Sequence, residues 1–259
     1  MENYIIYKNI KIFYTESGKG NPLVLLHGFL ESSKMWEDMV CNLSKTNRVI
    51  CIDLLGHGKT DSLTEIHTMQ AMALAVKSVL KTLNIEQFHI VGHSMGGYVA
   101  LALAEKYPKE IKGICLLNSS ATSDDQNKKK LRERACKMAK TNYEILLKMS
   151  ISNLFTAKNK ADFPAEIAKT KKEAFKITAQ SYISASQGMR LRANTEAVLQ
   201  RIENRLIIAG KNDAILNFKE ISEQAKRTNT ALHKLSGGHM SPIDNKKILL
   251  KILQKFITD

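Results

Sequence analysis

Short apolar runs in this chain alternate with longer stretches in which apolar residues recur every three to four positions. Runs of this kind are typical of buried strands, and the 3.6-residue period is typical of helices that lie on a sheet. The runs predict eight strands, near residues 3–8, 10–15, 23–27, 48–53, 88–92, 111–117, 205–209 and 231–235. The periodic stretches predict helices near residues 34–44, 67–83, 95–107, 217–228 and 243–257. The alternation favours an α/β fold, in which a mainly parallel eight-stranded sheet carries helices on both faces.

The most specific motif is a G-x-S-x-G turn at residues 92–96, which follows a predicted strand and opens a helix rich in small residues. A serine on so tight a strand-to-helix turn is pushed outward, with its hydroxyl clear of the sheet edge. The backbone N–H of Met95, at the start of the helix, faces the same space. The turn therefore predicts Ser94 as a nucleophile and Met95 as one donor of an oxyanion hole.

A serine hydroxyl needs a general base, and the base needs an acid that orients it. Asp213 follows the seventh predicted strand, and His239 follows the eighth. The order serine, acid, histidine is the one expected for a sheet of the hydrolase type. We therefore predict Ser94, Asp213 and His239 as the catalytic residues.

Four motifs in this order resemble those of the α/β-hydrolase superfamily, and the resemblance extends along nearly the whole chain. They are the G-x-S-x-G turn, the strand that ends in His27-Gly28, the D-x-x-G-x-G-x-[ST] loop at residues 53–60, and the acid and base positions. The resemblance implies a hydrolase with a Ser-His-Asp triad. It also implies that the backbone N–H of Phe29 is the second oxyanion donor. The substrate stays open, because this scaffold hosts many chemistries.

Between about residues 120 and 194 the alternation stops, and the pattern predicts helices only, near residues 126–140, 142–154 and 164–187. The superfamily inserts its helical cap at this point, so we expect a core of residues 1–119 and 195–259 and a cap, or lid, of residues 120–194. This stretch has sixteen Lys and Arg against seven Asp and Glu, which is +9 of the chain's net charge of +14. A basic lid would attract an acidic substrate. A solvated lysine-rich surface explains the same charge and is the simpler interpretation.

Other acids stand near the motifs. Asp53 precedes the serine in the chain, and its position suits a carboxylate that caps a loop. Asp124 and Asp125 follow the sixth predicted strand, where some relatives place their acid. They stay open as alternatives to Asp213.

Composition limits the class of protein. With 259 residues, 44% of them hydrophobic, the chain can bury a full core. No apolar run approaches the roughly 20 residues that span a bilayer, and the first residues alternate like a strand. We therefore expect a cytoplasmic protein without a membrane span. The four cysteines are widely spaced without a C-x-x-C motif, so we expect free thiols and no metal site.

The motifs of other binding classes are missing from the sequence. No helix-turn-helix, zinc finger or aromatic-studded sheet accompanies the positive charge, so nucleic acid is not an expected partner. No G-x-G-x-x-G follows a strand. Lys59-Thr60 lacks the first glycine of a phosphate loop, because residue 53 is Asp. We expect no cofactor and a small-molecule acyl substrate; the oligomeric state stays open.

Three functions fit these residues. The first, which we favour, is a serine esterase or thioesterase that acts on small acyl compounds through an acyl-serine intermediate. The second is a carbon–carbon bond hydrolase or a lyase of the menaquinone-pathway type, although that lyase group often has Arg where this chain has Tyr98. The third is a hydrolase-fold receptor that keeps the triad and holds a small ligand. Ser94 argues against epoxide hydrolases and haloalkane dehalogenases, which need Asp at this position.

Overall fold

The computed structural model describes residues 2–258 and is built around one eight-stranded sheet. The strands are β1 (Glu2–Tyr7), β2 (Ile10–Ser17), β3 (Asn21–Leu26), β4 (Asn47–Ile52), β5 (Phe88–His93), β6 (Ile111–Leu117), β7 (Asn204–Gly210) and β8 (Ala231–Leu235). Their order across the sheet is β1-β2-β4-β3-β5-β6-β7-β8. The β1–β2 and β2–β4 pairs are antiparallel, and every later pair is parallel. The predicted α/β fold with a mainly parallel sheet is confirmed.

Helices connect the strands and cover both faces of the sheet. They are α1 (Glu37–Leu43), α2 (Met69–Thr82), α3 (Met95–Lys106), α4 (Gln126–Ala139), α5 (Tyr143–Ser152), α6 (Ala157–Asp162), α7 (Pro164–Ala174), α8 (Ala179–Leu191), α9 (Glu196–Arg201), α10 (Phe218–Arg227), α11 (Ser241–Asp244) and α12 (Lys246–Thr258). Short 3₁₀ turns precede α1 and β6.

Side chains along a buried strand alternate between the two faces of the sheet. In β3, Val24 and Leu26 pack with apolar residues of α2 and α3. Leu23 and Leu25 pack on the opposite face with Trp36 and with α12. Both faces of the strand are buried, which explains why β3 reads as a continuous apolar run in the sequence.

The observed helices differ from the predicted ones mainly where one predicted helix is divided into two shorter elements. The predicted helix at 164–187 is two helices, because the Thr178 side chain accepts a hydrogen bond from the Ser181 N–H and starts α8 as a new helix. The predicted helix at 34–44 begins as a 3₁₀ turn, and the one at 243–257 is divided between α11 and α12. Helices α6 and α9 lie outside every predicted helix.

Six helices, α4 to α9, lie between β6 and β7. We call the first five, which span residues 126–191, the helical insertion. Most of its buried apolar residues form one cluster that also contains Leu30 and Met240. These two residues belong to the loops after β3 and β8, so the insertion packs over the carboxyl ends of the parallel strands. A backbone hydrogen bond from the His67 N–H to the Ser184 carbonyl (3.0 Å) also joins α8 to the loop before α2. The assignment of residues 120–194 as a lid stays a prediction.

All four cysteines are free thiols: Cys51, Cys115 and Cys136 are buried, and Cys41 is exposed. No helix within residues 2–258 has both the length and the hydropathy needed to cross a membrane.

Candidate active site

The turn between β5 and α3 forces Ser94 into an unusual backbone conformation, with φ at 49°. The strand and the helix approach so closely that a Cβ on Gly92 would lie 2.4 Å from the backbone of Gly96. The Ser94 N–H donates to the Leu117 carbonyl (2.9 Å), and the Ser119 hydroxyl donates to the Ser94 carbonyl (2.7 Å). The strained residue is therefore held on both sides, which fixes the direction of its side chain.

The three residues predicted to be catalytic meet at the carboxyl edge of the sheet. Ser94 Oγ lies 3.0 Å from His239 Nε2, and His239 Nδ1 lies 2.7 Å from Asp213 Oδ2. The side chains of His239 and Asp213 are almost fully buried. These distances allow a proton to pass from the hydroxyl to the imidazole while the carboxylate orients the ring.

Asp213 stays ionised in this buried position because several donors surround it. Its Oδ1 accepts hydrogen bonds from the N–H groups of Ile215 (2.8 Å) and Leu216 (3.0 Å). Burial raises the pKa of Asp213, but His239 and these donors outweigh burial, so the pKa lies below its ordinary value. The carboxylate can therefore stabilise a positive charge on His239.

The loop after β3 lies beside Ser94, because β3 and β5 are parallel neighbours in the sheet. His27 stiffens this loop: its Nδ1 donates to the Gly28 carbonyl (2.7 Å), and its Nε2 accepts from the Leu54 N–H (2.9 Å). Within residues 2–258, the N–H groups of Phe29 and Met95 donate to no other residue. Two unpaired N–H groups beside the hydroxyl can donate hydrogen bonds to an oxyanion and so stabilise its negative charge.

Comparison with known proteins shows the family of this chain. Residues 21–246 match the sequence model described as the alpha/beta hydrolase fold. The chain belongs to the alpha/beta hydrolase family. The resemblance noted from the sequence is confirmed.

Individual relatives of this alpha/beta hydrolase differ in how much they share with it. An uncharacterized protein of Mycobacterium tuberculosis is 33% identical over 111 residues, which are 43% of this chain and one third (33%) of that protein. A 2-hydroxy-6-oxononadienedioate/2-hydroxy-6-oxononatrienedioate hydrolase of Paraburkholderia phymatum is 34% identical over 123 residues, 45% of this chain and 43% of its own. The structure of a thermophilic esterase from Thermogutta terrifontis, solved with malate bound, superposes with a TM-score of 0.92 at 25% identity. That alignment covers 100% of this chain and 98% of the esterase.

Sequence reasoning missed Asn118, which follows β6 in this hydrolase. Its Nδ2 donates to Asp213 Oδ2 (3.0 Å) and to the Gly238 carbonyl (3.0 Å), so it joins Asp213 to the residue before His239. Asn118 has φ at 44°. An asparagine directly after a buried strand, at the sheet edge where Ser94 lies, is the sequence signal that could have found it.

A second residue that sequence reasoning missed is Glu31, which is buried against His93, the residue before the predicted nucleophile. Its Oε2 accepts from the Gly28 N–H (2.6 Å) and lies 2.9 Å from His93 Nδ1. His93 Nε2 donates in turn to the His239 carbonyl (2.9 Å). Burial opposes both charges, but each partner favours the other, so the pKa of His93 is raised and that of Glu31 is lowered. This buried ion pair connects the loop after β3 to the loop after β8.

The rival acids have other partners. Asp53 accepts from the Ser33 N–H (2.6 Å) and the Lys59 N–H (2.8 Å), which is the loop-capping role expected of it. Asp125 caps α4 by accepting from the Lys128 N–H (2.7 Å). Asp124 pairs with two arginines of the helical insertion and its flank. His239 Nδ1 bonds to Asp213 instead of any of these.

A cavity of about 710 Å³ lies between the helical insertion and the hydrolase core. Its wall includes Phe29 of the loop after β3, Tyr98 of α3, Tyr182 of α8 and Leu216, which lies three residues after Asp213. Phe29 and Tyr182 are in contact, with ring centroids 4.8 Å apart. The cavity has room for a small organic substrate. No group of three or more His, Cys, Asp or Glu side chains in the described chain is placed to hold a metal ion.

Proposed function

We propose that this protein is a serine hydrolase that cleaves a carboxylic ester or thioester of a small acyl substrate. The observation that carries the proposal is the hydrogen-bonded chain from Ser94 through His239 to Asp213, with distances of 3.0 and 2.7 Å. Ser94 Oγ attacks the carbonyl carbon, and His239 Nε2 takes the hydroxyl proton. Asp213 stabilises the imidazolium ion that forms.

The carbonyl oxygen becomes an oxyanion and accepts hydrogen bonds from the N–H groups of Phe29 and Met95. Loss of one such donor costs about 2.7–4 kcal/mol of transition-state stabilisation in other hydrolases. The tetrahedral intermediate collapses, and the alcohol or thiol leaves with the proton of His239. Water then gives a proton to His239 and attacks the acyl-serine, which releases the acid and restores the hydroxyl.

We propose further that residues 120–194 act as a cap over this site. The packing of the helical insertion over Leu30 and Met240, neighbours of Phe29 and His239, supports this role. Access to the triad then runs through the cavity between insertion and core.

A carbon–carbon bond hydrolase is the second candidate, and one relative favours it. The Paraburkholderia phymatum hydrolase, 34% identical over 123 residues, is named for a carbon skeleton and not for an ester. The esterase of Thermogutta terrifontis matches the whole chain, which supports the ester as the first choice.

Hydrolysis of p-nitrophenyl acetate by the wild-type protein and by Ser94→Ala tests the proposal. We expect turnover to fall by at least about a thousandfold in Ser94→Ala, since subtilisin without its nucleophile loses about 10⁶ in kcat. The melting temperature should stay within a few degrees. Undiminished activity in Ser94→Ala would refute the nucleophile assignment. A single slow burst from the wild-type protein, with a retained adduct, would favour a receptor instead of an enzyme.

A further inference from the structure

One wall of the cavity carries a buried carboxylate between two arginines. The side chain of Asp124 is 1% exposed. Its Oδ2 lies 2.6 Å from Arg132 Nε, and its Oδ1 lies 2.8 Å from Arg192 Nη1. The cluster therefore has a net charge of +1 on the cavity wall, because one carboxylate faces two guanidinium groups.

Arg192 serves to hold this cluster in place. Its guanidinium donates to the carbonyls of Met189 (2.9 Å) and Thr122 (3.2 Å) and lies 3.9 Å from the ring centroid of Tyr98. The side chain is only 8% exposed. Because these groups and Asp124 already occupy its guanidinium, Arg192 has few hydrogen-bond donors left for a ligand.

Arg132 differs from Arg192 in this respect. It reaches Asp124 through Nε, and its two Nη groups have no partner among residues 2–258. Its side chain lines the cavity and is 22% exposed. A guanidinium with free Nη groups, held rigidly by a buried carboxylate, can bind a second carboxylate through two parallel hydrogen bonds.

The cluster lies close to the predicted nucleophile. Tyr98, against which Arg192 stacks, is four residues after Ser94 on α3, and four residues of a helix rise by about 6 Å. The same cavity touches Phe29 of the oxyanion loop. A carboxylate on Arg132 would therefore be separated by a short carbon chain from a carbonyl held at Ser94.

Charges at the mouth of the cavity do not cancel this local excess. The acids there are Asp125, Glu220 and Glu223, all exposed. Asp125 is engaged in capping α4, and Glu220 lies 3.8 Å from the amine of Lys128. Exposed charges are screened by water and salt, whereas a part-buried guanidinium is screened much less.

We propose that Arg132 binds a free carboxylate of the substrate, so that the preferred substrates are monoesters of short dicarboxylic acids. This inference rests on the proposed ester hydrolysis at Ser94, and it adds the class of substrate.

The test compares mono-p-nitrophenyl glutarate, which carries a free carboxylate, with p-nitrophenyl valerate, a neutral ester of similar length. The measured quantity is the ratio of kcat/KM for the anionic ester to that for the neutral ester. Arg132→Met should lower this ratio at least tenfold, which corresponds to about 1.4 kcal/mol. The matched control is Arg134→Met, which removes the same charge from an exposed position of α4 and should leave the ratio within about twofold.

Loss of Arg132 leaves the buried Asp124 with one partner, so Arg132→Met alone could change the ratio by destabilising the fold. A second variant controls for this effect. The double variant Asp124→Asn with Arg132→Met removes both charges together and should show the same loss in the ratio. Binding of glutarate to Ser94→Ala, measured by calorimetry with and without Arg132→Met, gives a readout that does not depend on turnover. Arg132→Met should weaken the binding of glutarate at least tenfold.

The outcomes separate the two proposals. Turnover of both esters, with a ratio that Arg132→Met and the double variant leave unchanged, would overturn the role of Arg132 and leave the ester hydrolase standing. Absence of turnover, with glutarate binding that depends on Arg132, would overturn the proposed reaction and support the carboxylate site.

Discussion

At the scale of single residues, Asn118 gives the most direct test of how the acid is held. Asn118→Gly removes the side-chain donor and suits the positive φ of this position, which Ala would not. Because a hydrogen bond to a charged group contributes about 1.5–3 kcal/mol, we expect kcat/KM to fall by about tenfold or more. Asn118 helps to lower the pKa of Asp213, so its loss should also shift the acid limb of the pH–rate profile to higher pH. Unchanged kcat/KM and an unshifted profile would show that Asn118 has only a structural role.

The buried pair of Glu31 and His93 predicts a pH-dependent stability. The pKa of His93 is raised in the folded protein, so its contribution is complete below the ordinary value of 6.5 and is lost as the pH rises through the raised value. The pKa of Glu31 is lowered, so its contribution is complete above the ordinary value of 4.5 and is lost as the pH falls. The pair therefore stabilises the fold most between these two values.

We expect Glu31→Gln to lower the free energy of unfolding by about 3 kcal/mol at pH 5.5, because it leaves a buried charge without its partner. The loss should shrink as the pH is raised towards 9, because His93 loses its proton once the pH passes its raised pKa. Urea unfolding at both pH values measures it. Glu144→Gln, which breaks an exposed pair with Lys148, is the control and should leave the free energy of unfolding nearly unchanged at both pH values. Equal losses at both pH values for Glu31→Gln would contradict the loss of a proton from His93 within this range.

The difference between what the sequence predicts and what it misses at this scale has a physical reason. Ser94 is predictable because a local motif imposes its backbone conformation, and Asp213 and His239 follow because each comes directly after a strand of the same parallel sheet. Asn118 and Glu31 act through partners distant in the chain. Glu31 touches His93, 62 residues later, and Asn118 touches Asp213, 95 residues later. Such pairings depend on which loops meet at the sheet edge.

At the scale of elements, the sequence predicts all eight strands because buried strands of a parallel sheet are short apolar runs between polar turns. Helix ends are less predictable, because they depend on single side chains. Thr178 stands inside an unbroken helical pattern, and only its hydrogen bond to the Ser181 N–H shows that a new helix begins there. The short helices α6 and α9 have six residues each, too few to display a period.

These elements also explain why the site is built where it is. The loops after β3, β5, β6, β7 and β8 all leave the same edge of the sheet, since these strands are parallel. Each loop supplies one residue of the proposed site: Phe29, Ser94, Asn118, Asp213 and His239. The helical insertion follows β6, so it begins at this same edge of the sheet and lies above it.

At the scale of the whole molecule, the positive charge is concentrated in residues 120–194, which hold +9 of the net +14. The sequence left two interpretations of this charge, a solvated surface or an attraction for an acidic substrate. They predict different effects of salt. A field that guides an anionic substrate extends over a Debye length, about 30 Å at 0.01 M salt and about 8 Å at 0.15 M.

We expect kcat/KM for mono-p-nitrophenyl glutarate to fall roughly fivefold between these two salt concentrations, while that for p-nitrophenyl valerate stays nearly constant. Replacement of Lys128, Lys129 and Lys130, at the start of α4, by Gln should reduce the fall to roughly twofold. The control replaces Lys247, Lys251 and Lys255, exposed on α12, and removes the same charge from outside the helical insertion. If both triple variants keep the wild-type salt dependence, the α4 lysines are a solvated surface, and specificity for an anionic substrate has to come from Arg132 alone. If only the α4 variant loses the salt dependence, long-range attraction by the insertion and short-range binding by Arg132 act on the same carboxylate.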